Sequence, residues 1–208
     1  MPIGPVIRRL FGRHEHRVAA LFRAFFFDIN DYKRRLQTWA SAPQRILEVG
    51  CGEGAVTEAL AEIYPGAEIM AIDITPSVGR LYRGSTQRVR FQQVTVEEVA
   101  RDRPGEFDLV VFSDVIHHVP EALRREVLDA ARRSLGPGGL LVLKDWEPRR
   151  TPIHWLCHAC DRWLTGDRVS HLTSGEMSAL LSSVSFRPLS QDVRLRPWAN
   201  NFALLAHA

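Results

Sequence analysis

The chain predicts a doubly wound α/β fold: a mostly parallel sheet with helices on both faces, preceded by an N-terminal helical segment. Three observations predict it. Ile46-Leu47-Glu48-Val49-Gly50-Cys51-Gly52-Glu53-Gly54 is an apolar strand ending in a glycine-rich turn. Ile69-Met70-Ala71-Ile72-Asp73 is a second apolar strand, ending in an acid. Beyond them apolar strands alternate with helical patterns, which implies a parallel sheet covered on both sides.

In chain order, residues 1 to about 40 read as helical, because Val18, Leu21, Phe22, Phe25 and Phe26 recur at helical spacing. Strands are expected at 45–49, 67–72, 89–94, 107–112 and 139–144, and helices at 54–63, 76–82 and 120–134. Thr75-Pro76 suits a cap and first turn for the middle helix. In the tail, 151–165 and 174–181 read as helices, and 185–189 and 201–206 as closing strands. The 208 residues are expected to form one domain. It divides into a lid (1–43), a cofactor-binding core (44–148) and acceptor-side helices with the hairpin (149–208).

Composition is ordinary for a globular protein, at 45% apolar and 25% charged residues. A formal charge of +3 is too mild for a dedicated nucleic-acid binder. Three cysteines, Cys51, Cys157 and Cys160, argue against a disulfide framework and fit a reducing cytoplasm. No run reaches the ~18 apolar residues of a membrane span. The apolar stretch Val18 to Phe27 is interrupted by Arg23 and lacks a cleavage site, so it does not read as a signal peptide.

The glycine turn separates two cofactor classes. Asp73 follows Gly50 at the roughly 20-residue spacing that brings a carboxylate to ribose hydroxyls. A dinucleotide fold wants G-x-G-x-x-G with a helix N-terminus free for pyrophosphate. Here the glycines run G-x-G-x-G, and Glu48 stands two residues before the first. A carboxylate beside the turn repels pyrophosphate and suits a cofactor with a positive end.

The segment resembles the first motif of class I S-adenosylmethionine-dependent methyltransferases, and Asp73 matches their ribose-binding acid. Phe107-Asp108-Leu109-Val110-Val111-Phe112-Ser113-Asp114-Val115-Ile116-His117-His118-Val119 resembles their fourth-strand motif. Leu135-Gly136-Pro137-Gly138-Gly139-Leu140-Leu141-Val142-Leu143 resembles the turn into their fifth strand. The resemblance spans roughly residues 44 to 145.

The resemblance implies a doubly wound, mostly parallel, seven-stranded sheet with an antiparallel C-terminal hairpin and an N-terminal helical lid, with S-adenosylmethionine as cofactor and S-adenosylhomocysteine as product. Glu48 is expected to face the methionine amino group, Gly50, Cys51 and Gly52 to line the turn, and Asp73 to bind ribose. Ile74 is expected on the adenine face. Thr95 stands where many members carry an Asp or Asn for the adenine amine, and the Val96 N–H is a second adenine contact. The loop from Ser113 to His118 is expected to converge on the same point. His117 and His118 are the candidate bases, since an imidazole titrates near neutrality. Tyr32 in the lid, with Asp145, Trp146 and Glu147 at the end of the fifth strand, is expected to line the acceptor pocket.

No metal is expected. His154, Cys157, His158 and Cys160 do not make a matched tetrahedral set on one helix. The N-terminal aromatics, with Arg8, Arg9, Arg13, Arg17 and Arg23, suit a lid better than a helix resting on an anionic membrane surface, which stays open as a peripheral contact. The expected activity is methyl transfer to O, N or C of a small-molecule acceptor. Aromatic, natural-product and lipid or quinone-like acceptors all stay open, and no nucleic acid is expected. The alternatives are a non-catalytic S-adenosylmethionine-binding regulator and a nicotinamide-dependent oxidoreductase.

Overall fold

The computed structural model describes residues 21, 24–149, 151–160, 169–189 and 192–208. Its sheet runs in the order β3-β2-β1-β4-β5-β8-β6, with β7 also paired to β8. The strands are β1 (Arg45–Val49), β2 (Glu68–Asp73), β3 (Val89–Gln93), β4 (Phe107–Ser113), β5 (Leu135–Trp146), β6 (Arg187–Pro188), β7 (Val193–Arg194) and β8 (Asn201–His207). Pairing is parallel from β3 through β5 and antiparallel around β8. The helices are α1 (Ile29–Trp39), α2 (Ala55–Ile63), α3 (Val96–Asp102), α4 (Arg124–Ser134), α5 (Pro152–Cys160) and α6 (Ser174–Ser183).

Two cores lie on opposite faces of the sheet, because successive strand residues point to opposite sides. Leu47, Val49, Val110 and Phe112 pack with α3, α4 and α6 through Val99, Leu128 and Leu181. Ile46, Leu109 and Val111 pack with α1 and α2 through Leu36 and Leu60. Burial on both faces explains why the central strands read as unbroken apolar runs. The strand order reverses between β1 and β4, and in open α/β sheets the crevice for a ligand lies outside the carboxyl ends at such a point.

The structure departs from the sequence expectations in several places. Residues 76–82 form turns, not a helix. Gly79 takes φ +64°, and its N–H bonds to Gly52 O at 2.8 Å, so the segment is drawn onto the glycine turn. Helix α3 was not expected. Its signal is the capping box Thr95-x-x-Glu98, in which each residue's side chain accepts from the other's backbone N–H. Among the described residues the sheet has eight strands where seven were expected, since the two-residue β7 joins the hairpin. The N-terminal helical reading breaks at Asp28, whose carboxylate caps α1 by accepting from Asn30 and Asp31. Phe22, Arg8, Arg9, Arg13, Arg17, Arg23 and the helix expected over 161–165 lie outside the described residues. So do the side chains of Cys157, His158 and Cys160.

Candidate active site

The turn after β1 is stitched to β2. Gly50 and Cys51 donate to Ile72 O at 2.8 and 3.0 Å. Gly52 N–H donates to Asp73 Oδ2 at 2.8 Å, and Thr75 N–H to Asp73 Oδ1 at 2.9 Å. Asp73 is therefore fixed at the lip of the crevice, and its carboxylate keeps lone pairs for further donors. Gly52 has φ +51°, and a Cβ built on it would meet no atom within 4 Å. That bare backbone faces open space. Ile74 is 73% exposed beside it, an apolar side chain standing at the same lip.

Glu48 points from β1 toward the α1–α2 face and is buried. Burial pushes its carboxyl up to about 7; neighbouring Thr57 opposes the rise, and the charge of Asp73 adds to it. Its Oε2 has no hydrogen-bond partner among the described residues. An orphaned buried carboxylate oxygen next to an open glycine backbone fits a ligand carrying a cationic amine. Cys51 is a buried free thiol, raised by burial and then by Glu48 and Asp73, which leaves it unreactive.

Thr95 and Val96 sit at the start of α3. The Thr95 hydroxyl accepts from Glu98 N–H at 3.3 Å, so capping occupies it in part. The Val96 side chain is buried in the core. Ser113, at the carboxyl end of β4, shares a 3.0 Å hydrogen bond with Tyr32 from α1. Tyr32 is fully buried, so its contact with this edge of the sheet runs through Ser113.

The ends of β4 and β5 bring two predicted residues together. His117 Nδ1 pairs with Asp145 Oδ1, and His117 N–H donates to Asp145 Oδ2 at 3.3 Å. Both residues are buried. Burial opposes ionisation of Asp145, but His117, the Trp146 N–H and Lys144 outweigh it and hold the carboxyl below its usual range. An imidazole oriented by a buried carboxylate is a proton acceptor with a fixed tautomer. His118 is exposed, with its ring centroid 4.2 Å from that of His117.

Trp146 is buried, donates to His154 Nδ1 at 3.1 Å and meets Phe26 edge-on at 6.1 Å. Glu147 is engaged otherwise. Its carboxylate accepts from Arg149 Nε, Arg194 Nη1 and the Ser174 N–H, at 3.0, 2.5 and 3.0 Å. Burial works against that charge, but these donors bring its carboxyl down to about 2. The cluster ties β5 to α6 and β7. Arg194→Ala is expected to destabilise the fold by about 1–3 kcal/mol, read from urea unfolding midpoints. An unchanged midpoint would show that the cluster contributes nothing to the fold.

Sequence reasoning missed two neighbours of this edge, Lys144 and His171, while Asp114 belongs to the loop expected to converge there. Lys144 is buried, pairs with Asp114 at 2.5 Å and lies 4.3 Å from the Phe27 ring centroid. Asp114 has φ +58°, in the left-handed region. His171, from the segment before α6, stacks near His117 with centroids 4.8 Å apart. No local pattern marks Lys144 or His171, because only strand pairing and the return of the chain bring them here.

The fold is that of class I, Rossmann-like methyltransferases. Residues 47–141 match a family model described as a methyltransferase domain. Ubiquinone biosynthesis O-methyltransferase of Xanthomonas campestris pv. campestris is 37% identical over 112 residues, 52% of this chain and 44% of that protein. The enzyme of the same name from Dechloromonas aromatica is 36% identical over 111 residues, 51% of this chain and 46% of that protein. The alignments thus span about half the length of these curated relatives. Among solved structures, 1,6-didemethyltoxoflavin-N1-methyltransferase of Burkholderia thailandensis superposes with TM-score 0.68 and 21% identity, covering 98% of this chain and 87% of that one. It was crystallised with 1,6-didemethyltoxoflavin and S-adenosylhomocysteine. Human N-acetylserotonin methyltransferase, solved with S-adenosylmethionine, gives TM-score 0.71 at 20% identity over 100% of this chain and 60% of that one.

Proposed function

We propose that the chain transfers a methyl group from S-adenosylmethionine to a hydroxyl oxygen of an aromatic small molecule. The buried His117–Asp145 pair at the carboxyl ends of β4 and β5, beside the glycine turn, carries the reading. Such a pair is useful where the acceptor must lose a proton. Bound in the crevice, S-adenosylmethionine supplies a methyl group on a positively charged sulfur. Glu48 receives its amine, Asp73 its ribose, the bare Gly52 backbone its flank and Ile74 its adenine face. Gly50 and Cys51 shape the turn, and Thr95 and Val96 border the adenine. His117 takes the acceptor proton, Asp145 holds the imidazole and steadies its positive charge, and His118 stands beside them at the surface. Ser113 and Tyr32 brace the loop.

The acceptor is read as aromatic from its surroundings. Phe26 meets Trp146, Phe25 meets Trp198 at 5.6 Å, and Phe27 meets Tyr32 at 5.4 Å. The relatives named for ubiquinone biosynthesis support a phenolic acceptor of the quinone-precursor kind. We take α1 and residues 24–28 as a cover on this edge, and the chain as one domain working in the cytoplasm. Among the described residues no helix is long and apolar enough to cross a membrane. The test is S-adenosylhomocysteine release with a panel of phenols, catechols, aryl amines and carbon nucleophiles. Turnover confined to the hydroxylated aromatics is expected; turnover confined to amines would overturn the oxygen assignment.

Glu48 makes cofactor binding depend on pH. Its carboxyl is protonated below about 7 in the ligand-free fold, and only the ionised form holds a cation. Affinity for S-adenosylhomocysteine is expected to rise roughly eightfold from pH 6 to pH 7.5 in the parent, relative to Glu48→Gln. The ligand-free fold loses stability as pH rises from 4.5 to about 7, because the unfolded chain gives up the proton first. Parallel pH profiles in parent and variant would remove Glu48 from the amine site.

A further inference from the structure

We propose that His117, Asp145 and His171 form a binding site for one divalent ion of the zinc or cobalt kind. The inference rests on the active-site reading only in placing this cluster at the acceptor edge. One ligand atom from each residue lies within 4.8 Å of the others. His117 and Asp145 are buried and His171 is half-buried. Two imidazoles with one carboxylate are the donor set that first-row transition ions prefer over magnesium or calcium. Three protein ligands leave a coordination position for water or a hydroxyl.

The third ligand is held in place by backbone. Ser170 N–H donates to His117 O at 2.9 Å. The buried Arg124 donates to Ser170 O at 2.6 Å and to Val119 O at 3.0 Å. These bonds clamp the chain before α6 onto the loop after β4, and so His171 stands against His117. His154 is close to His171 but stays outside the set. Its Nδ1 accepts the Trp146 indole N–H, so in the neutral ring its own proton is on Nε2. Contraction of the present spread by about an ångström per side chain reaches the ~2 Å bond lengths of zinc.

Ion and proton compete for the same imidazole lone pair. A His117 ring that holds an ion takes no proton from the acceptor, so ion binding and base catalysis exclude each other. Zinc is therefore an inhibitor that acts at the base.

The experiment titrates chelator-stripped full chain, without cofactor or acceptor, with Co²⁺ by visible absorption and with Zn²⁺ by calorimetry. One ion per chain is expected, with d–d bands of low-coordinate cobalt. His171→Ala is expected to lose about tenfold or more in affinity while its S-adenosylhomocysteine binding and thermal melt match the parent. Asp145→Asn should also weaken the ion. Where turnover is measured, micromolar Zn²⁺ inhibits the parent more than His171→Ala. No stoichiometric ion, or an affinity unchanged in His171→Ala, overturns the proposal. Cofactor binding is measured separately in the same samples, so loss of the methyltransferase reading and loss of the ion site are told apart.

Discussion

Asp73→Ala is expected to weaken S-adenosylmethionine binding by about a hundredfold or more. Two ribose hydroxyls donating to one carboxylate are hydrogen bonds to a charged group, each contributing about 1.5–3 kcal/mol. Loss of the pair removes roughly 3 kcal/mol or more, and each 1.4 kcal/mol is tenfold in Kd. A second effect acts in the same direction. Asp73 also receives the N–H groups of Gly52 and Thr75, so its loss loosens the turn that the cofactor lies across. Asp73→Asn separates the contributions. It keeps an oxygen acceptor and much of the turn but loses the charge, so its affinity should fall between those of parent and Ala variant. Calorimetric titration of the three proteins, each shown to be folded by circular dichroism, reads the effect. An Asp73→Ala protein that binds as tightly as the parent would remove the ribose assignment.

His117→Ala is expected to lower kcat by about 10²–10⁴, the usual range for a positioned general base. S-adenosylmethionine affinity should stay unchanged, because His117 stands on the acceptor side of the crevice. Asp145→Asn should lose a large part of the same rate. The amide neither stabilises the imidazolium nor fixes the ring's tautomer, and one buried partner is left mismatched. Chelator in the assay keeps metal out of this comparison. Full turnover in His117→Ala with a phenolic acceptor would mean that the acceptor arrives already ionised or that another group takes its proton.

Much of the β1–β2 side, where we place the cofactor, was legible in the sequence because its parts are local. β1, the glycine turn, α2 and β2 follow one another within about thirty residues, and each has a plain signal in apolar runs, glycines and a terminal acid. The acceptor side is not local. His117 and Asp145 are 28 residues apart and meet because β4 and β5 are parallel neighbours. Either residue could be suspected from its strand end, but their pairing depends on register. His171 and Lys144 carry no local signal at all. The expected helix at 76–82 failed for a related reason, since its backbone is bonded to the glycine turn rather than to itself. Helix α3 does have a local signal, since Thr95-x-x-Glu98 announces a helix start, and the residue expected at the adenine is the one that caps it.

The aromatic wall at the acceptor edge is held together across almost the whole chain. Trp198 donates to Phe25 O, Asn201 to Phe26 O and Arg196 N–H to Asp31 Oδ2, at sequence separations of 173, 175 and 165 residues. Closing loops of that length precedes any gain from the contacts, so such pairings form late. During synthesis, the glycine turn and both of its strands can assemble while this wall is still missing. This edge is then completed only after β8 is made, later than the glycine turn that it faces.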